Sequence, residues 1–183
     1  LINKEIVMGL DVYAVKNAKR IEDPKVSEVD DLDCVFGGHF ADRLGSLVDG
    51  EYYEGELSDA HFGCGYGRYG VFREMLAQLA GYAPKNTEEP KPGENDFMGR
   101  LYAFHHPHFV ATLNSDGGPF YELINFSDCE GYIGPECCKK LADDFESFSD
   151  AADNHDNEWF KEKYFDMKRL FLDGSQSGYV RFC

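Results

Sequence analysis

Between Asn157 and Leu172, the large apolar residues Phe160, Tyr164, Met167 and Phe171 recur at intervals of four, three and four, with charged residues between them. That spacing is one face of an α-helix and does not fit a strand. A helix with a single apolar face needs a second apolar layer to cover it, so the rest of the chain must supply one. Gly134 to Phe148 predicts a second helix, with Pro135 in its first turn and Leu141, Phe145 and Phe148 as its stripe. Phe72, Met75, Leu76, Leu79 and Ala80 predict a third, closed by Gly81.

The covering layer is expected to be a sheet. Ile6 to Val15 is rich in Ile, Val, Leu and Tyr, Glu51 to Leu57 carries Tyr52 and Tyr53 after an Asp49-Gly50 turn, and Leu101 to Phe104 and Phe120 to Phe126 are apolar enough for strands. Gly178 to Cys183 completes the set as a short final strand. Asn17 to Asp33 is charged and carries Pro24, which suits an exposed loop or short helix. Residues 83–95 hold Pro84, Pro90 and Pro92 among charges and read as an exposed loop, not a domain boundary. Residues 1–7 are expected to be an extension ahead of Met8. The fold class expected is α+β: one domain over 1–183, a mixed or antiparallel sheet with about three helices packed on it.

Size and composition agree. With 183 residues, 43% of them apolar and 15% aromatic, the chain can bury a large core without disulfide or metal. It carries 34 acidic against 18 basic side chains, a net charge of −16. With no basic cluster to displace counterions, direct binding to nucleic acid or to an anionic membrane is not expected. An acidic surface keeps a protein soluble, and it also suits a basic protein partner. The six cysteines lack paired spacing, and no run of apolar residues is long enough to span a bilayer, which together predict reduced thiols and a cytoplasmic location.

Two segments carry the candidate chemistry. Gly65, Tyr66, Gly67 and Arg68 open a G-x-G-x-x-G stretch ahead of a helix. Glycines let a backbone approach an anion, a helix start offers unpaired N–H groups, and Arg68 or Arg73 adds charge. The same stretch also reads as a surface loop, since no convincing strand precedes it. Asn125, Ser127, Asp128, Cys129 and Glu130 gather an amide, a hydroxyl, a thiol and carboxylates after an apolar segment. They suit ligand binding or, for Asp128, Cys129 and Glu130, hydrolysis. They suit equally an Asx-type turn that caps its own backbone. His105, His106 and His108 fall short of a zinc ligand set, so no metal and no cofactor are expected.

Several blocks are also similar to known sequences. Met8-Gly9-Leu10-Asp11-Val12-Tyr13, the helix Phe72 to Gly81, the block Pro119 to Gly131, then Ile133-Gly134-Pro135-Glu136, Lys140-Leu141-Ala142 and Val180-Arg181-Phe182-Cys183 resemble an uncharacterised family of bacteria and their phages. In related sequences a His often stands where Phe126 does, which weakens a Cys–His reading. The resemblance implies relatives and a cellular setting, not a reaction. The expectation that follows is a phage-type anti-defence protein that captures a small anionic, nucleotide-like ligand between Gly65–Arg68, Arg73 and the Asn125 to Glu130 loop. The alternatives are an acidic inhibitor or immunity-type protein that blocks a basic partner, and a hydrolase.

Overall fold

The computed structural model describes residues 9–25, 32–84, 88–126 and 129–183. The fold is α+β, and its sheet is antiparallel throughout. Five strands, β1 (Leu10–Ile21), β2 (Asp33–Cys34), β3 (Tyr52–Cys64), β4 (Gly131–Ile133) and β5 (Tyr179–Phe182), stand in the order β2-β3-β1-β5-β4. Seven α-helices occur among the described residues: α1 (Tyr66–Leu79), α2 (Phe97–His105), α3 (Pro107–Leu113), α4 (Tyr121–Ile124), α5 (Pro135–Ser147), α6 (Ser149–Asp153) and α7 (Glu158–Gly174).

The strands alternate in and out as a two-faced sheet requires. Val12 and Ala14 of β1, Ala60 and Phe62 of β3, and Val180 and Phe182 of β5 face one way and bury against the helices. On that convex side α7 lays down its expected stripe of Phe160, Tyr164, Met167 and Phe171, while α5 adds Leu141 and Phe145. Asn157 caps α7, its side chain accepting the Phe160 N–H at 3.0 Å. Val15, Tyr53 and Tyr179 point to the opposite face, where Val35 and Leu44 join them in a second, smaller core.

That second face is concave. Asp33 stands on the β2 edge, two strands removed from β5, yet its carboxylate pairs with Arg181 and accepts the Tyr179 hydroxyl at 2.6 Å. A flat sheet would hold β2 and β5 about 14 Å apart, so the sheet curls into a half-barrel. Residues 34–50 strap the open side. At one edge Val35 and Gly50 exchange backbone bonds with Glu51 and Val35, and at the other Gly134 donates to the Arg43 carbonyl at 2.8 Å. Val35 and Leu44 plug the interior midway. A mouth remains at each end.

Several expectations are corrected. Leu101–Phe104 lies in helix α2, and Phe120–Phe126 holds the short helix α4, so the sheet does not include Phe120 to Asn125. Phe120, Leu123, Ile124 and Phe126 are all buried, and a short run buried on every side has no period to separate strand from helix. β1 runs past Val15 to Ile21, taking up the start of the segment expected to be loop or helix, and residues 26–31 of that segment lie outside the described ones. A register shift between Lys16 and Lys19, with Asn17 at φ 53°, lets the strand pass its irregular stretch. Residues 6–8 of the first expected strand, and the extension 1–7, also lie outside the described residues. β3 likewise runs on to Cys64, so a strand does precede the glycine motif, and Gly67 and Gly70 sit inside α1 and not in a loop.

Candidate functional site

The two expected binding segments end up at the same end of the sheet, but not in one cleft. Leu10 pairs with Cys64, Asp11 exchanges backbone bonds with Cys183 at 2.8 and 2.9 Å, and Phe182 pairs with Gly131. Of the described residues in these two segments, Cys129 and Glu130 line a cleft that none of Gly65 to Arg68 lines. Gly65 caps α1 in an extended conformation, and Tyr66, Gly67 and Arg68 form the exposed first turn. A side chain at Gly65 or Gly67 would meet open space. The Arg68 guanidinium lies over the Trp159 ring, 5.6 Å from its centre.

Arg73 does meet the second segment, from inside. It is buried, sandwiched 4.7 Å from the rings of Tyr69 and Phe109, and its Nη1 donates to the carbonyls of Ile124 and Phe126 at 3.5 and 3.2 Å. Those bonds bracket Asn125, whose Oδ1 is buried with no hydrogen-bond partner among the described residues. Ser127 and Asp128 lie outside the described residues. Cys129 and Glu130 are exposed.

Cys129 and Glu130 line a cleft of about 610 Å³ at the mouth of the half-barrel. Its other walls are Phe36 to Phe40 of the strap, Tyr132 of the edge strand β4, and Arg181, Phe182 and Cys183 from β5 and the residue after it. Phe36 is 64% exposed, unusual for so large an aromatic. Phe40 packs on Phe126 at 4.9 Å, and Phe126 on Phe182 at 4.8 Å, which anchors that wall in the main core. Arg181 lies over the Tyr13 ring at 5.6 Å, and Tyr13 stacks at a tilt on His61 at 5.0 Å, so rings continue from the cleft floor across the sheet. Burial, with the Asp33 carboxylate second, pushes the Tyr132 hydroxyl up to about 12, so it keeps its proton at neutral pH.

The cleft contains one cation, and Asp33 already meets its charge. Glu130 adds a carboxylate. The lining is therefore aromatic, with acceptors and a hydroxyl donor, and offers no unpaired cation to an anion. Phe36, His39, Phe40, Tyr132 and Arg181 carried no local signal in the sequence as site residues, because three distant stretches assemble the cleft. The histidines of the middle segment serve local packing: His108 Nδ1 lies 2.6 Å from the Tyr82 carbonyl, and His106 stacks on Tyr102 at 4.4 Å. Among the described residues no group of three or more His, Cys, Asp or Glu is placed to hold a metal ion, and no helix is long and apolar enough to cross a membrane. Comparison with protein-family models, with curated proteins and with solved structures finds no match to this chain.

Proposed function

We propose that the protein is a small-ligand-binding protein that takes a flat, nucleoside-like ring into the cleft between Phe36–Phe40 and Cys129–Tyr132. The observation that carries this reading is the exposed Phe36 ring over a cleft of about 610 Å³. Pockets for ligands of this class span roughly 300–1,000 Å³, are mainly apolar, and sit by preference at barrel mouths. A ring stacked on Phe36 recovers the apolar surface now left in water. Glu130 accepts hydrogen bonds from an exocyclic amine or a ribose hydroxyl, and Tyr132 donates one. The phosphate part of a nucleotide gains nothing here, since Asp33 already pairs with Arg181.

Thermal-shift and calorimetric titrations with nucleobases, nucleosides and nucleotides test the proposal. A nucleoside is expected to stabilise the protein at least as well as its monophosphate. Phe36→Ala should weaken it by about tenfold, as loss of an aromatic anchor does, and Arg68→Ala should leave it unchanged. Dependence on Arg68 with indifference to Phe36 would place the ligand at the start of α1 and overturn the proposal.

A further inference from the structure

The opposite mouth of the half-barrel holds a second cleft, of about 530 Å³, with a different chemistry. Arg20 from the far end of β1, Lys139 and Glu136 from the first turns of α5, Ser46 from the strap and Ser177 from the turn before β5 converge on it. Two cations and one carboxylate line it, and one of the cations, Arg20, is paired with Glu51 outside the lining. Lys139 is exposed and makes no ion pair among the described residues, whereas its neighbour Lys140 is shared between Glu122 and Asp144. Arg20 is held in place by two contacts to Glu51, at 3.0 and 3.2 Å. The Glu136 carboxylate is turned to the strap, where it accepts the Ser46 N–H at 2.9 Å. Ser177 is kept at φ 54°, a left-handed conformation that a serine adopts at a cost. The Val15, Val35 and Tyr179 plug separates this cleft from the first.

We infer that this second mouth binds the phosphate group of a small phosphomonoester. Lys139 supplies the charge left unpaired among the described residues, the Arg20 guanidinium, already paired with Glu51, adds only N–H donors, the Ser46 and Ser177 hydroxyls donate to phosphate oxygens, and Leu47 and Tyr53 receive the apolar part of the ester. The inference does not depend on the ring-binding proposal, because the two clefts share no lining residue.

The test is calorimetry on the full chain at fixed ionic strength, with phenyl phosphate, inorganic phosphate and phenol as probes. Phenyl phosphate should bind more tightly than inorganic phosphate, and phenol should not bind. Lys139→Glu should weaken phenyl phosphate by about tenfold or more. Lys91→Glu reverses another exposed lysine that makes no ion pair among the described residues, and it should leave binding unchanged. Ser177→Gly should weaken binding while thermal stability holds or rises, because glycine tolerates the positive φ. Equal weakening by both lysine reversals, binding of phenol as tight as that of phenyl phosphate, or no binding of phenyl phosphate would each overturn the inference.

Discussion

Arg73 and Arg68 lie on the same helix and serve opposite ends. Arg73 is 8% exposed and ties α1 to the carbonyls that follow α4, between two aromatic rings. Removing it strands buried carbonyls and empties the space between the rings, so Arg73→Ala should lower unfolding free energy by about 3 kcal/mol. Arg68 rests on Trp159 at the surface. Its loss should cost under about 1 kcal/mol. Denaturant unfolding of the two variants checks the contrast, and similar losses would contradict it. The sequence already associates Arg73 with the Asn125 to Glu130 segment, but as a ligand contact. Burial separates the two roles, and burial depends on which remote elements pack around a side chain.

At the scale of elements, α1 shows how a glycine in its first turn and one just past its end are opposed in their effect. Gly81 has φ 81°, and Tyr82 and Gly81 donate back to the carbonyls of Ala77 and Gln78, the double bond of a Schellman end. Gly81→Ala should destabilise by about 1 kcal/mol. Gly67 sits in the first turn with open space where a side chain would grow. Gly67→Ala should be neutral or stabilise by up to about 1 kcal/mol. Melting temperatures of the pair test this. If Gly67 were required for close approach of a ligand in the first mouth, Gly67→Ala would also weaken nucleoside binding, and it should not. Elements with an apolar stripe, such as α5, α7 and the second half of α1, are legible from spacing alone. Leu101–Phe104 and Phe120–Phe126 are not, because an apolar run this short carries no period that separates a strand from a helix turn. The long pairing of β1 with β3 is legible only in part. Lys16–Glu56 and Arg20–Glu51 tie the strand expected at Glu51 to Leu57 to the end of β1, whose residues from Asn17 on read as loop or short helix by themselves. The candidate clefts were least visible, since each joins stretches far apart in the chain.

Taken whole, the molecule keeps many ionisable groups neutral by burial. Burial pushes Tyr82 and Tyr132 up to about 12, Cys64 to about 11 and Cys137 to about 12, and drives Cys138, Tyr164 and Tyr179 up as well. In the unfolded chain thiols ionise near 9 and tyrosines near 10. The native state then holds protons that the unfolded state has released, so stability is full below about pH 9 and falls as pH rises towards about 12. Melting temperature against pH, followed beside tyrosinate absorbance, should show Tyr82, Tyr132, Tyr164 and Tyr179 ionising together with unfolding; titration of these four near pH 10 in the folded protein would contradict it. The strap over the concave face has a consequence of a different kind. Residues 34–50 place Phe36 to Phe40 at one mouth and Ser46 to Val48 at the other, with Val35 and Leu44 in the plug between them. Were guests to bind at both mouths, they would hold the same length of chain, and any entropy lost in ordering it would be lost once. If both proposals hold, an occupant of one mouth is expected to tighten binding at the other with no contact between them, which titration of each ligand in the presence of the other checks.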